Sequence, residues 1–560
     1  MAVRGCAMCA CDHWRVDLTR RQLLIAGAGL ATAACASEVE PAATTAPSQT
    51  SAAPSSSTAA ATPTDRWRAG KVAPAGVLSA YANDSVLSGD PLQLHVSAAA
   101  KWRASIYRIG HFGGKGGTKV AEISGPKRLF TTKQVDPSTR MVSADWPVVA
   151  EVDTTGWPSG LYTAVVRTPA GGTNIPFVVR PASAQGKVAI IAASLTWQAY
   201  NIWGGRSLYK DSGGSFAGRS YAVSYDRPYD HALWGAPIAF GFDIPVARFA
   251  DEVGIDHVWF TNADIARDPG LLQGAKGVVS TGHDEYWPQP YRKALIAARD
   301  AGSDLAFLGA NAGYWRVALK GDDVYCAKDA AIQPKNIRWR DLGKPESAVV
   351  GMLYDAFPVE GPMVIREPDF ALFGGTRVKR GSSFPGLVGI ESDRYYPGFQ
   401  TPDDIEVPTL SPVTCRGIGT WSTMTYYSVD SGASVFATGT MNWTRSLNGP
   451  AAKKGITGAS SDFSRAVTAN LLEGMADGTL PAGAAVVAAV VAAVVVVLPA
   501  RRVRRAPRVG IGAGQADAEQ SGDADTGGQG GCGQRSLEVH RCAPFLDGSD
   551  VVGVVSPHWN

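Results

Sequence analysis

Charge and cysteine are both scarce in this sequence. Only 18% of the 560 residues are charged, and 53 basic residues against 50 acidic ones leave a formal net charge of +3. The main body has no long basic run that could form a patch or stripe for nucleic acid, so we expect no nucleic-acid partner. The eight cysteines are scattered, which excludes a small scaffold built on disulfides. The phosphate-binding Gly-x-x-x-x-Gly-Lys-Ser/Thr motif and the His-Glu-x-x-His zinc motif are absent too.

The sequence does contain enough apolar material for several folded domains. Hydrophobic residues make up 45%, and 15 Trp, 17 Tyr and 17 Phe exclude a disordered or fibrous protein. At about 100–200 residues per domain, a chain of 560 residues is expected to hold more than one domain.

The first 35 residues are predicted to form an export signal. Arg20 and Arg21 precede an apolar stretch of about a dozen residues, and small residues then lead to Cys35. The arginine pair indicates the twin-arginine route, with an ordinary secretory signal as the alternative. Cys35 would be the lipidated residue of a bacterial lipoprotein. Simple cleavage near Ala34 stays open, because Thr32 stands where such signals usually carry Leu.

Two further segments predict that the protein is tethered to a membrane. Residues 36–65 are almost wholly Ala, Ser, Thr and Pro, which predicts a disordered linker. Residues 482–498 are Ala, Val and Gly closed by Leu, at the lower length limit for a transmembrane helix, with a low-complexity linker as the alternative. The tail 501–560 begins with arginines, which favours a cytoplasmic end, and continues as disordered sequence. We expect an exported bacterial cell-envelope protein on the outer face of the membrane, held by a lipid anchor, the helix or both.

Residues 66–183 have the pattern of an immunoglobulin-like β-sandwich. Apolar and polar residues alternate over short segments, and turn signals at 113–114, 159–160 and 171–172 separate them. Several short strands with this spacing are typical of such sandwiches. The predicted strands are Leu92–Ser97, Ala104–Arg108, Leu161–Arg167 and Ile175–Arg180.

Residues 187–480 are predicted to form a doubly wound α/β domain of the glutamine-amidotransferase-like kind. Strands alternate with helices here, and the first strand is a continuous apolar run, as in parallel sheets that are buried on both faces. The predicted strands are Val188–Ala193, His257–Phe260, Gly277–Thr281 and Asp304–Gly309, with helices at Phe242–Val253 and Tyr291–Ala301.

Polar and aromatic residues are concentrated after three of these strands. The segments 196–209, 282–287 and 310–316 are unusually dense in Trp, Tyr, Gly and polar residues. In such sheets ligands bind beyond the carboxyl ends of the strands, so we expect the three segments to form a pocket there.

The ordered set of motifs in this domain resembles the large subunit of N,N-dimethylformamidase and its relatives. The resemblance covers roughly residues 187–480, fits the upstream sandwich only loosely, and implies an amide hydrolase. No single motif is decisive, whereas the whole set in this order is specific. The motifs are Trp197–Asn201, Ser207–Tyr209, Ser224–Tyr229, Gly282–Trp287 and Gly309–Asn311.

By this resemblance, one iron ion is held by two tyrosinates and a glutamate. Tyr200, Tyr209 and Glu285 match these ligands, and Tyr225 and Tyr229 are the next candidates if Tyr209 does not match. Phenolate and carboxylate are hard, anionic oxygen ligands, which suit a ferric ion. Three protein ligands leave coordination positions open, where the ion can polarise an amide carbonyl as a Lewis acid.

The resemblance also implies groups that act beside the metal. His283 and Asn311 match catalytic or supporting groups, and Glu391 matches a further carboxylate acting as a base. His283 or Glu391 could move a proton to the departing nitrogen, which is worth about 10²–10⁴-fold in rate. Each site residue also has a purely structural interpretation: tyrosines pack in cores, His283 and Glu285 stabilise a helix start, and Asn311 holds a turn.

A thiol hydrolase is not expected. A glutamine-amidotransferase-like enzyme needs a cysteine on a tight turn after a strand, and the turn here is Gly282-His283-Asp284. The only cysteines of the main body are Cys326 and Cys415. Outside the cytoplasm these two are predicted to form a disulfide rather than to serve as a nucleophile.

The sequence therefore predicts an exported, membrane-tethered hydrolase of carbon–nitrogen amide bonds at a mononuclear iron. The family enzyme is cytoplasmic and has a small partner subunit, so its substrate does not transfer: a small amide such as a formamide and a cell-envelope amide both fit. The alternative is a non-catalytic lipoprotein with a degenerate α/β domain, which binds envelope glycans or proteins through exposed Trp and Tyr. A homo-oligomer and the need for a small subunit both stay open.

Overall fold

The computed structural model describes residues 62–131, 133–230, 236–237, 240–328 and 337–483. By their contacts these residues belong to one structural unit. The predicted export signal (1–35), the linker up to residue 61, the tail (501–560) and all but the first two residues of the predicted span (482–498) lie outside the described residues. Along the described ranges, no helix combines the length and the apolar character needed to cross a membrane.

The N-terminal part is built from eleven strands. The alternation of apolar and polar residues that predicts strands in the sequence is seen in the burial of their side chains. Around Leu94, for example, every second side chain faces a core and its neighbours are only partly buried. The strands are β1 (Pro63–Thr64), β2 (Leu78–Ala82), β3 (Ser85–Leu87), β4 (Leu92–Ala98), β5 (Trp102–Ile109), β6 (Gly117–Gly125), β7 (Gln134–Val135), β8 (Val142–Ser143), β9 (Ala150–Val152), β10 (Gly160–Thr168) and β11 (Gly171–Arg180).

Nine of these strands form two sheets that enclose one apolar core as a β-sandwich. The larger sheet has the order β1–β6–β5–β10–β11–β3 and the smaller one the order β2–β4–β9, while β7 and β8 pair separately. Leu94 of the smaller sheet and Ile106 and Phe177 of the larger one belong to the same core. Strand β1 lies inside the predicted linker and pairs with β6 of the sandwich. The immunoglobulin-like class stays a prediction.

The remaining elements follow from Val188 onward. The strands are β12 (Val188–Ala192), β13 (Ala222–Ser224), β14 (His257–Thr261), β15 (Gly277–Ser280), β16 (Tyr286–Pro288), β17 (Asp304–Phe307), β18 (Trp315–Lys320), β19 (Asp323–Tyr325), β20 (Leu353–Val364), β21 (Ser383–Arg394), β22 (Glu406–Cys415), β23 (Ile418–Ser428) and β24 (Ser434–Ala437). The helices are α1 (Ser194–Tyr200), α2 (Phe240–Val253), α3 (Asn262–Arg267), α4 (Gln289–Asp300), α5 (Ser347–Val350), α6 (Asn442–Ser446) and α7 (Gly458–Asp477).

A seven-stranded sheet lies at the centre of this region, in the order β14–β12–β15–β17–β24–β23–β22. Its first five strands are parallel; β23 pairs antiparallel with β24, and β22 pairs antiparallel with β23. The apolar strand β12 is buried on both faces: Ile190 packs in a core that includes α2 and α7, and Ile191 packs in another core that includes α4. A continuous apolar run is what a central parallel strand requires.

The region is richer in β-structure than the sequence predicts. Helices alternate with strands only as far as β17, and in the described part of residues 315–437 the regular structure is mainly β18–β24. Strands β20–β21 and β22–β23 are long antiparallel pairs, rich in the β-branched and aromatic residues that favour strands. The described structure is therefore mostly β-rich, and the doubly wound, glutamine-amidotransferase-like domain over residues 187–480 stays a prediction.

Two glycines let the loops after β15 and β17 pass very close to each other. A Cβ atom on Gly309 would come within 1.6 Å of the carbonyl oxygen of Gly282, so only a residue without a side chain fits at this position. Because β15 and β17 are adjacent parallel strands, this approach brings the segments that begin at Gly282 and at Gly309 side by side.

The predicted disulfide between Cys326 and Cys415 was wrong. Both cysteines are buried thiols, and no disulfide joins them. Cys326 packs in a small core with Val223 and Val324, whereas Cys415 belongs to the large core under the seven-stranded sheet. Burial in separate apolar cores accounts for both side chains, since free cysteine behaves as a small hydrophobic residue.

Candidate active site

Two of the expected oxygen ligands, Tyr200 and Glu285, contact each other. The hydroxyl of Tyr200 donates a hydrogen bond to Oε2 of Glu285 at 2.7 Å. Tyr200 is the last residue of α1, which follows β12, and Glu285 ends the loop that follows β15. The backbone N–H of Glu285 donates to the Thr196 hydroxyl of α1 at 3.2 Å, so the loop and the helix are joined.

Tyr209 joins this pair through its ring. Its ring centroid lies 5.3 Å from that of Tyr200, with an angle of 30° between the planes. The backbone N–H of Leu208 donates to the carbonyl oxygen of Ala199 at 3.0 Å, which holds the two tyrosines side by side. Burial, followed by the Glu285 carboxylate, raises the pKa of both tyrosines above its ordinary value, so both hydroxyls keep their protons at pH 7.

His283 lies against the same carboxylate. Its Nε2 is 3.7 Å from Oε2 of Glu285, and its ring centroid is 5.3 Å from that of Tyr200. Its Nδ1 is buried and has no hydrogen-bond partner in the described part of the chain. Burial, with a smaller contribution from Arg445, lowers the pKa of His283 to about 3, so the imidazole is neutral at pH 7.

Asn311 and Glu391 form a second polar contact. Nδ2 of Asn311 donates to Oε2 of Glu391 at 2.8 Å. Asn311 adopts a left-handed backbone conformation, with φ of 61°. Its backbone N–H donates to both carboxylate oxygens of Asp393, at 2.8 and 3.1 Å. These bonds hold a non-glycine residue in a conformation that such residues seldom adopt, and Asn311 therefore connects the loop after β17 to β21.

The charge of Glu285 affects the pKa of Glu391. Burial raises the pKa of Glu391 well above its usual range, and the Glu285 carboxylate raises it further. Burial also raises the pKa of Glu285, while Lys328 and the hydrogen bond from Tyr200 act in the opposite direction. This electrostatic arrangement favours a proton or a cation close to the two carboxyl groups.

Lys328 is a site residue that the sequence reasoning missed. Its Nζ donates to the Tyr286 hydroxyl at 2.8 Å and lies 4.4 Å from the ring centroid of Trp315. It also lies 5.7 Å from the ring centroid of Tyr209. Burial lowers the pKa of Lys328 below its ordinary value. No motif surrounds it in the sequence, and only the fold brings its charge next to the aromatic rings and to Glu285.

The donor set suits a hard cation such as ferric iron. No group of three or more His, Cys, Asp or Glu side chains in the described ranges is placed to hold a metal, but two phenols and one carboxylate are a different kind of set. Two ligands at right angles, each about 2.0–2.1 Å from a hard octahedral ion, lie about 2.9 Å apart. The oxygens of Tyr200 and Glu285, at 2.7 Å, are close to that separation. The chemistry of these donors, and the separation of the Tyr200 and Glu285 oxygens, are compatible with the ion that the resemblance implies.

The alternative tyrosines, Tyr225 and Tyr229, lie in other surroundings. The Tyr225 hydroxyl is 2.8 Å from Oγ of Ser194, and burial and the nearby Asp84 carboxylate raise its pKa. Tyr229 belongs to the large apolar core, and its hydroxyl forms a hydrogen bond with Gln198. Tyr209 is the better second phenol, because its ring stacks on Tyr200 and the Glu285 carboxylate raises its pKa.

A comparison with protein families identifies the family of this sequence. The sequence model of the family described as N,N-dimethylformamidase beta subunit-like, C-terminal, matches residues 103–457. The chain belongs to this family. The N,N-dimethylformamidase-like region begins within β5 of the sandwich, so it starts well before Lys187, where the resemblance noted in the sequence began. No curated protein matches the chain.

Proposed function

We propose that this N,N-dimethylformamidase-like protein hydrolyses a carbon–nitrogen amide bond at a single ferric ion held by Tyr200, Tyr209 and Glu285. The observation that carries the proposal is the 2.7 Å contact between the Tyr200 hydroxyl and Glu285, with the Tyr209 ring stacked beside it. When bound, the ion would supply Lewis-acid polarisation of the amide carbonyl.

Three side chains would handle protons and charge. Glu391 has a raised pKa and keeps a proton near neutral pH, on a carboxyl group that Asn311 orients through Nδ2. It can deliver that proton to the departing nitrogen, and such general-acid help is worth about 10²–10⁴-fold. The neutral His283 offers its Nδ1, which has no partner among the described residues, as a hydrogen-bonding group. Lys328 offsets the negative charge of Glu285.

The proposal extends to where the protein works. The arginine pair at 20–21, Cys35 and the apolar segment 482–498 support an exported protein anchored on the outer face of the membrane. Twin-arginine export carries folded proteins, which suits a metal that is bound before export. The substrate would be a small amide or an amide of the cell envelope. We expect that the protein does not bind nucleic acid.

Metal analysis is the first test. Protein purified from iron-supplied cells should contain iron and show a tyrosinate-to-iron charge-transfer band in the visible spectrum. A screen of linear amides, including formamides, should then identify a substrate that releases an amine. A colourless, metal-free protein without amidase activity would contradict the proposal and favour a non-catalytic lipoprotein that binds glycans or proteins.

A further inference from the structure

Arg227 is a buried cation whose described side-chain hydrogen bonds all go to one short segment. Its side chain is 0% exposed. A buried charge is costly unless it is well hydrogen-bonded, and here all three guanidinium nitrogens donate. The acceptors are Oε1 of Gln198 for Nε (3.3 Å), the carbonyl oxygens of Trp203 (3.5 Å) and Arg206 (3.3 Å) for Nη1, and those of Gln198 (3.0 Å) and Asn201 (3.0 Å) for Nη2.

The segment from Gln198 to Arg206 carries one proposed iron ligand and leads to the other. Tyr200 lies within it, and Tyr209 follows three residues after its end. Arg227 donates to the carbonyl oxygens of Gln198 and Asn201 in the first half of this segment and of Trp203 and Arg206 in the second half. These bonds hold a loop rich in aromatic residues and glycine as one fixed frame. A single planar guanidinium can do so because its donors point in a rigid fork, which a lysine ammonium lacks.

The residue before Arg227 connects this frame to the β-sandwich. The Asp226 carboxylate accepts a hydrogen bond from the Tyr81 hydroxyl and another from the backbone N–H of Asp145, the latter at 3.1 Å. On the loop side, Trp203 packs edge-on against Trp146 of the sandwich, with ring centroids 5.9 Å apart. Asp226 and Arg227 therefore join the sandwich to the tyrosine-bearing loop through adjacent side chains.

We propose that Arg227 is a positioning residue that holds Tyr200 and Tyr209 at the spacing required to share one iron ion, an inference that rests on the proposed function. Arg227 touches neither the ion nor the substrate; it acts through the carbonyl oxygens of the loop. Replacing Arg227 should loosen the loop and weaken metal binding. The loss of metal affinity should be larger than in a variant that is destabilised to the same extent elsewhere in the fold.

The test compares Arg227→Lys with a matched control, Arg292→Lys. Arg292 is also buried, and it donates to the carbonyl oxygen of Pro345 from α4, on a different part of the sheet. We expect both variants to melt at a lower temperature than the wild type. Arg227→Lys alone should bind iron about 10–100-fold more weakly, as supporting residues of metal sites typically do when changed. It should also shift the charge-transfer band and speed amide hydrogen exchange in residues 198–209 of the metal-free protein.

Unchanged iron affinity and unchanged hydrogen exchange in Arg227→Lys would overturn the inference, as would an equal loss of iron in Arg292→Lys. If Arg227→Lys does not fold, Gln198→Met tests the same frame, because it removes the acceptor of the Nε bond together with the bonds of Gln198 to Asn201 and Tyr229. It should weaken iron binding severalfold, and an unchanged affinity would again contradict the inference. If the wild type binds no iron, the proposed function fails, while hydrogen exchange in the variants still measures the hold of Arg227 on the loop.

Discussion

The side-chain nitrogen of Asn311 lies 2.8 Å from Oε2 of Glu391, 80 residues further along the chain. Asn311 reaches this position with a left-handed backbone held by Asp393. This contact orients a carboxyl group that, unlike Glu285, has no phenol partner among the described hydrogen bonds. If the proposed mechanism holds, the contact aims the proton of Glu391 at the departing nitrogen.

Replacing Asn311 with Gly should separate this role from backbone strain. Glycine adopts a φ of 61° without cost but loses the bond to Glu391, so kcat should fall by about 10-fold or more while iron stays bound. Asn311→Ala loses the same bond and also strains the backbone by about 1–2 kcal/mol, so it should melt at a lower temperature than Asn311→Gly. Steady-state kinetics and thermal melts measure both effects; a full kcat in Asn311→Gly would contradict the role.

Tyr200→Phe should abolish the charge-transfer band and most of the iron binding, because it removes one phenol oxygen of the proposed ligand set. Tyr225→Phe is the matched control: it also deletes a buried tyrosine hydroxyl, but one that contacts Ser194. We expect this control to keep its iron while losing about 1 kcal/mol of stability. Iron retained in full by Tyr200→Phe would remove this residue from the ligand set and leave the fold untouched.

Iron binding should strengthen as the pH rises. Tyrosine ligates as phenolate, and burial raises the pKa of both Tyr200 and Tyr209. Binding must therefore release protons, and the apparent affinity should increase about tenfold or more per pH unit. Competition with a chelator of known affinity between pH 6 and 8 measures this slope. An affinity independent of pH would argue against ligation by two phenolates.

Glu391→Gln should lower kcat by about 10²–10⁴-fold with little effect on iron content, since the amide keeps the shape and the contact with Asn311 but cannot supply the proton. Glu473→Gln, an exposed substitution on α7, serves as the control and should be silent. If Glu391→Gln instead loses its iron and shows no other defect, Glu391 is a metal ligand and not a proton donor.

The pH dependence of stability can be tested far from the site, at Asp304. Burial raises the pKa of Asp304 from 3.8 to about 6 in the folded protein. The native state therefore holds this proton to a higher pH than the unfolded chain, and the contribution of Asp304 to stability falls as the pH rises from about 4 to about 6.

Asp304→Asn removes this titration and still accepts the Ser434 N–H through Oδ1. It should raise the free energy of unfolding by about 1 kcal/mol at pH 7.5 and leave it unchanged near pH 4. Urea unfolding at both pH values measures the difference, with the exposed Asp430→Asn as the control. An equal effect at both values would mean that the carboxylate is not the cause.

Much of the site's framework could be predicted from local sequence. Strands β12, β15 and β17 were predicted almost to the residue, because buried parallel strands are continuous apolar runs. The positions of Tyr200, Glu285 and Asn311 just beyond the carboxyl ends of these strands followed from that assignment. Glu391 and Tyr209 depended on the family resemblance, since no local pattern distinguishes them from ordinary residues of strands and loops.

Other features could not be predicted because they depend on contacts between distant segments. Cys326 and Cys415 were expected to pair on grounds of compartment alone, yet they lie in separate cores. The β-rich nature of the described part of residues 315–437 was missed because the α/β pattern was extended beyond β17. Lys328 has no local signal, and its importance comes only from its contacts with Tyr286 and Trp315.

The sequence by itself determined which segments are strands and which strand ends carry polar and aromatic side chains. The reason is that the spacing of apolar residues along the chain determines which face of a strand or helix is buried. Only the tertiary structure decided which of those side chains meet. Loop packing sets the separation between Tyr200 and Glu285. It also sets the frame of carbonyl oxygens around Arg227 and the position of the Lys328 charge. Such packing is set by contacts between residues far apart in the chain, which no local pattern encodes.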